Sequence, residues 1–167
     1  MSDLQLLRPD HEGPILAFER ANRRYFADSI SDRGDEFFDN YPVRHRELLA
    51  EQRAGRRAFY VLVADDGAII GRFNLVFVDK GVAEVGYRVA QRVAGQGVAT
   101  ARVRELCLLA ASRHGVSILR AAASSDNLAS QKVLLKAGFI RIGPADPSEL
   151  GGREGSWYQR NLTDESE

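Results

Sequence analysis

The chain has 167 residues, 44% hydrophobic and 28% charged, and its 23 Lys and Arg balance its 23 Asp and Glu to a net charge of zero. That composition fits a single globular domain with a substantial core, and a chain with no basic excess is a poor partner for nucleic acid or an anionic membrane. One cysteine excludes an intrachain disulfide framework, the apolar runs are far too short to span a membrane, and no charged-then-apolar leader opens the sequence, so a cytoplasmic protein is expected, either a monomer or a homodimer.

Residues 4–8 (LQLLR) alternate as a short strand. Pro9 and Asp10 end it and open a helix over 11–27, with Ile15, Leu16, Phe18 and Phe26 as its apolar members. After a loop at 29–34, a second helical region over 35–54 carries Phe37, Phe38, Tyr41, Leu48 and Leu49 and is divided by Pro42. These aromatic-rich helices read either as core packing or as one wall of a substrate pocket. Residues 57–64 (RAFYVLVA) are almost wholly apolar, as in a strand covered on both faces. Asp65-Asp66-Gly67 turns the chain into a return strand at 68–78, and Asp79-Lys80-Gly81 turns it again into a strand at 82–90 (VAEVGYRVA).

A glycine-bearing turn, Ala94-Gly95-Gln96-Gly97-Val98-Ala99, then opens a helix over 97–114 with Ala99, Val103, Leu106, Cys107 and Ala110 at helical spacing. Gly115 suits its C-cap. Further along come a strand at 117–123, a short helix at 128–137 stopped by Gly138, a strand at 139–142, a Pro/Gly/Glu-rich loop at 143–155 and a last strand at 156–162; the acidic tail 163–167 is expected to be disordered. The order is β, α, α, β, β, β, α, β, α, β, β. The helix at 97–114 joins two parallel strands, so a mixed α/β sheet, mostly antiparallel, is expected in one domain over 1–162.

The turn is where a ligand is expected. Glycine allows close backbone approach, and the helix that follows presents unpaired N–H groups and a positive dipole end, an anion site. A nucleoside triphosphate would need Gly-Lys-Ser/Thr, but Val98-Ala99 follows Gly97. A dinucleotide would need a third small residue where Thr100 stands and more βα alternation downstream. The pyrophosphate of coenzyme A is the third candidate.

Two segments, VAGQGVATARVREL and SSDNLASQKVLLKAGF, together resemble the GNAT superfamily of acetyl-CoA-dependent N-acetyltransferases, and the strand order fits across essentially the whole chain. The superfamily's pyrophosphate motif, Gln/Arg-x-x-Gly-x-Gly/Ala, falls on Ala94–Ala99 with Gly97 and Ala99 in place and alanine where Gln or Arg leads; a literal match also begins at Arg92. Asn127-x-x-Ser130 followed by Lys136-Ala137-Gly138-Phe139 is most similar to the branch of ribosomal-protein N-terminal alanine and serine acetyltransferases and related small-molecule amine acetylases. The resemblance implies that acetyl-CoA lies where the strands at 82–90 and 117–123 splay. Its pantetheine would pair with backbone at Tyr87, Arg88 and Val89, and its pyrophosphate would sit on the N–H groups of Gly95, Gln96, Gly97, Val98, Ala99 and Thr100. Asn127 would contact the pantetheine arm, or serve as a plain N-cap.

The implied chemistry is direct attack by a primary amine, a protein N-terminal α-amine or a small-molecule amine, in a ternary complex without an acyl-enzyme. An α-amine has a pKa of about 8 and needs only a mild base. Glu84 is the candidate base, or else a surface carboxylate in a salt bridge; Val89 N–H is the candidate oxyanion donor. Many family members place a tyrosine seven residues after the asparagine, where this chain has Leu134. Ser130 is then the candidate partner of the sulfur, or a small helix residue packed on a strand, with Tyr87 and Tyr158 as fallbacks. The missing tyrosine also admits a second reading, an inactive acyl-CoA-binding sensor or interaction module. Cys107 reads as a buried structural thiol. His11, His45 and His114 lack metal-ligand spacing and are expected at the surface, so no metal is expected. Acceptor contacts in this fold come from 35–54 and 143–157, where Asp35, Glu36, Asp39, Glu149 and Glu154 either attract a cationic amine or form a solvated face.

Overall fold

Apolar runs broken by glycine turns build the sheet. The structure, a computed structural model, describes residues 3–162; the tail expected at 163–167 lies outside the described residues. The strands are β1 (Gln5–Leu6), β2 (Arg57–Val63), β3 (Ile69–Asp79), β4 (Val82–Val89), β5 (Ile118–Ser124), β6 (Ile140–Ala145) and β7 (Gly155–Asn161), hydrogen-bonded in the order β1-β2-β3-β4-β5-β7-β6. The helices are α1 (Glu12–Ala21), α2 (Arg23–Ala27), α3 (Asp35–Asp39), α4 (Tyr41–Arg53), α5 (Val98–His114) and α6 (Leu128–Lys136). The fold is the mixed α/β sheet that the sequence leads one to expect. Among the described residues no helix is long and apolar enough to cross a membrane. The chain groups into two units, residues up to Asn74 with Tyr87–Gly95, and Leu75–Gly86 with the residues from Gln96 onward.

In the first unit, β1 pairs antiparallel with β2, Gln5 opposite Val61. β2 buries five residues in a row, Ala58–Leu62, because both its faces are covered. α4 packs on β2 and on α1. Ile15, Phe18, Phe26, Phe38, Tyr41 and Leu48 are buried here, each contributing about 1.5–3 kcal/mol. The single helix expected at 11–27 is interrupted at Asn22, whose side-chain amide donates to Phe18 O at 2.9 Å and whose Oδ1 accepts from Gln91 N at 2.9 Å. The region 35–54 breaks at Asn40 instead of Pro42; Pro42 sits in the first turn of α4, where its missing N–H costs nothing.

His11 and His45 are buried, not at the surface as expected. The Nδ1 of His11 accepts from Arg8 N at 2.9 Å. His45 lies 3.0 Å from the Tyr41 hydroxyl through Nδ1 and 2.9 Å from Arg8 O through Nε2.

In the second unit, β4 and β5 run parallel, as expected for strands joined by a helix. Their register holds for only three pairs, Val82 with Ile118, Ala83 with Leu119 and Glu84 with Arg120. β5 continues with β7 alone, antiparallel over seven pairs from Ile118–Asn161 to Ser124–Gly155. α5 buries Val103, Leu106, Cys107 and Ala110, so Cys107 is the buried thiol expected; α5 packs on α6, and α6 on β5. The expected loop at 143–155 is shorter: β6 runs to Ala145, and Pro147–Leu150 forms a 3-10 turn that packs on β5.

Candidate active site

The second unit carries the helix start. Gly97 is the N-cap of α5 at φ 79°, a left-handed conformation that a side chain would strain; Gly95, the last residue of the first unit, is likewise left-handed at φ 75°. No side chain caps the helix and no acidic residue occupies its first turn. The first-turn amides therefore have no intrahelical acceptor, and the first turn itself holds no carboxylate to offset the positive end of the helix. Gly95, Gln96 and Gly97 are exposed, and nothing lies within 4 Å of a Cβ built on either glycine. Val98, Ala99 and Thr100 are half-buried. These residues fit a diphosphate.

The same unit brings Asn127 and Ser130 together. Asn127 caps α6, its Oδ1 accepting from Ser130 N at 3.1 Å, so the N-cap reading is realised. The cap uses the oxygen, which leaves the amide nitrogen as the group suited to donate to a carbonyl. Ser130 is half-buried. The turn before α6 is tied down: Ser124 Oγ donates to Asp126 at 2.7 Å, and Gln131 donates to Ser124 O at 2.9 Å and Ser125 O at 3.0 Å. Leu134, at the position where the resemblance leads one to expect tyrosine, is 0% exposed and belongs to the core. Tyr158 is buried on β7 opposite Ala121.

Glu84 is half-buried at the last parallel register pair. Partial burial pushes its carboxyl above the ordinary value of 4.5; Glu149 adds to the rise and Arg120 opposes it. Arg120 turns its Nε to Gln159 Oε1 at 3.0 Å. A carboxylate that holds its proton more readily than usual is the property a mild base needs.

The first unit carries the end of β4. Tyr87, Arg88 and Val89 are half-buried, and the Tyr87 ring stacks on Phe73 at 6.0 Å. Arg92 is exposed in the 3-10 turn Gln91–Val93. The aromatic helices are divided in role: Phe38 and Tyr41 are core, while Phe37 is half-buried beneath the Arg33 guanidinium at 4.7 Å.

One cluster here was missed from the sequence. The Glu19 carboxylate is buried and accepts from Arg33 Nε at 2.9 Å, Arg33 Nη2 at 3.3 Å, Arg72 Nη1 at 2.8 Å and Arg88 Nη1 at 2.9 Å. Burial alone would raise the Glu19 pKa, but Arg33, Arg88 and Arg72 together hold it below the ordinary range. Burial brings Arg88 down to about 10, with Arg33 and Arg72 acting the same way and Glu19 opposing. The available signal was charge on apolar ground: Glu19 on the Ile15–Phe18 helix face, Arg72 and Arg88 inside apolar strands. Among the described residues no group of three or more His, Cys, Asp or Glu could hold a metal ion.

The sheet is mixed, and its parallel β4–β5 pair is joined through the glycine-capped helix α5. The sequence matches the Acetyltransferase (GNAT) domain over residues 4–140, and the chain belongs to the GNAT acetyltransferase family. It is 26% identical over 136 residues to the probable N-acetyltransferase YjcK of Bacillus subtilis, covering 78% of this chain and 75% of that protein. Among solved structures, the ribosomal-protein-S5-alanine acetyltransferase of Vibrio fischeri superposes with a TM-score of 0.88 at 20% identity, over 96% of this chain and 93% of that one. RimJ of Mycobacterium smegmatis, solved with CoA-disulfide, gives 0.85 at 20% identity, over 99% and 88%. A spermidine N-acetyltransferase SpeG chimera of the Vibrio cholerae and hSSAT proteins gives 0.79 at 14%, over 98% of each chain.

Proposed function

We propose that this acetyltransferase moves an acetyl group from acetyl-CoA to a primary amine, a protein N-terminal α-amine or a small-molecule amine, by direct attack in a ternary complex, and that residues 1–162 form its domain. It works as a monomer or homodimer in the cytoplasm, with neither nucleic acid nor membrane as partner and with no metal. The observation that carries this is the start of α5, a left-handed glycine cap over a first turn that holds no side-chain anion of its own. The neighbours named for ribosomal-protein alanine and spermidine acetylation support an amine as acceptor.

In this reading the pyrophosphate rests on the amides of Gly95, Gln96, Gly97, Val98, Ala99 and Thr100. The backbone of Tyr87, Arg88 and Val89 holds the pantetheine as an added strand would. Asn127 donates to the arm through its amide nitrogen while its oxygen caps α6. Acetyl-CoA supplies the activated acetyl group as a thioester. Glu84 takes a proton from the incoming amine, Val89 N–H donates to the carbonyl oxygen as charge develops there, and the Ser130 hydroxyl protonates or stabilises the leaving sulfur.

Thiol release from acetyl-CoA, measured across peptides with free N-termini, polyamines, aminoglycosides and amino acids, tests the reading. Turnover with at least one amine is expected. No release with any, while CoA still raises the melting temperature, would favour the inactive acyl-CoA-binding module that the core position of Leu134 allows. E84Q and S130A should each lower kcat with little change in cofactor affinity, and normal rates in both would sink these assignments. Because the Glu84 pKa is raised, kcat/KM should climb with pH through a value above 4.5, and E84Q should lose that limb.

A further inference from the structure

Glu19 is 1% exposed, and the side chains that converge on it, Arg72, Arg88 and Arg33, are 6%, 16% and 30% exposed. Three guanidinium charges face one carboxylate, an excess of two. Asp32 and Asp35, beside Arg33 in the loop, share the single Arg23 guanidinium at 2.8 Å, so that group returns one negative charge and an excess of one remains. Phe26 beneath Arg88 and Phe37 beneath Arg33, each 4.7 Å from the guanidinium carbon, soften the excess without neutralising it. Buried charge without a counter-charge is unfavourable. Arg33 and Arg88 keep enough exposure for a solute anion to reach them.

A second observation lies on the same sheet face. Asn74 stands two residues beyond Arg72 on β3 and so shares its face, about 7 Å along the strand. The Asn74 Oδ1 is buried without a hydrogen-bond partner. An orphaned acceptor of this kind calls for an N–H donor.

We infer that the acceptor amine also carries an anionic group, a carboxylate or phosphate, which completes the charge of the Arg33–Arg72–Arg88 cluster while its amine N–H is taken by Asn74. The inference rests on the acetyl-transfer reading for the amine; the anion site can be tested without it. Arg88 connects the two, because the backbone beside its side chain is the segment proposed to hold the cofactor arm.

The test begins with thermal unfolding of the cofactor-free protein at constant ionic strength, with inorganic phosphate or acetate replacing chloride. A saturable rise in Tm is expected, on the order of 5 °C at a hundredfold excess over Kd. Affinity should fall at least fivefold in R33Q and stay unchanged in R113Q, at the exposed end of α5. No saturable rise with either anion, or a rise that R33Q shares in full, overturns the inference. Should R33Q fail to fold, phosphate titration of the wild-type guanidinium Nε resonances decides instead: Arg33 and Arg88 must shift well ahead of Arg113, and equal shifts overturn it. Thiol release then compares β-alanine with propylamine and O-phosphoethanolamine with ethanolamine. At least tenfold higher kcat/KM is expected for the anionic member of one pair, which identifies carboxylate or phosphate, with the preference lost in R33Q and kept in N74A, where both members of the pair should slow together. Turnover without such a preference in either pair overturns the inference. Anion binding with no turnover of any amine leaves the anion site standing and removes the acetyl-transfer reading instead.

Discussion

Replacing Glu19 by Gln removes the charge on which three arginines depend and changes almost nothing in volume. Each carboxylate oxygen accepts two bonds: Oε1 from Arg33 Nε and Arg88 Nη1, Oε2 from Arg33 Nη2 and Arg72 Nη1. A glutamine amide nitrogen in either place turns two acceptor contacts into donor–donor contacts. At about 1.5–3 kcal/mol per charge-assisted bond the loss is about 3–6 kcal/mol, in line with the roughly 3–5 kcal/mol found when one partner of a buried ion pair is removed. Arg33 is 30% exposed and water replaces part of its share, so we expect about 3–4 kcal/mol, or a fall in Tm of roughly 10 °C. Because the Glu19 pKa is lowered in the fold, its stabilisation is complete above the unfolded value near 4.5 and is lost as pH falls through the folded value. Urea unfolding of wild type and E19Q between pH 7 and pH 3.5 checks both points. The gap should be full at pH 7 and should narrow below pH 4.5. A gap under about 1 kcal/mol at neutral pH, or one that does not change with pH, would refute the reasoning.

Two further outcomes follow from other parts of the molecule. L134Y, which puts a tyrosine into a position that is 0% exposed here, should cost about 1–3 kcal/mol by overpacking, read from denaturant midpoints, and should not raise turnover. N127A should cost about 1 kcal/mol for the lost cap and weaken CoA several-fold by calorimetry. N127S, which keeps an oxygen for the cap but no amide nitrogen, should recover the stability and not the affinity; recovery of both would show Asn127 to be a cap alone.

Local pattern carries far in this chain and then stops at long-range hydrogen bonds. β2, β4 and α5 are legible because an unbroken apolar run or a 3.6-residue stripe settles each of them within its own length. The glycine turn is legible because positive φ selects glycine. The break at Asn22 is not, since α1 and α2 could continue as one helix but for an acceptor that meets Gln91 N, 69 residues away. His45 looks like a surface histidine on a polar helix and is buried because Arg8 O, 37 residues away, receives it. The moved break near Pro42 has a local cause, the tolerance of a first helical turn for proline. Of the candidate site, the sequence placed Gly97 and Asn127 at helix starts, and they are the N-caps of α5 and α6. The arginine cluster was visible only as charge in the wrong place.

Glu19 and Asn22 stand one helical turn apart, and each takes a bond from the returning segment 87–95: Glu19 from Arg88 and Asn22 from Gln91, both across 69 residues of sequence. Closing a loop of that length costs about 4 kcal/mol in chain entropy. The cost arises once, because when either bond has formed the other spans no new loop. One turn of α1 thus fastens the segment at two points for a single closure, and the two points should be won or lost together. The cost also grows only with the logarithm of length, by about 0.6 kcal/mol per doubling. The chain between can therefore lengthen at a surface turn such as Asp65–Gly67 with little effect on how firmly the segment is held, which gives this part of the molecule room to diverge in sequence and length while its hold on 87–95 persists.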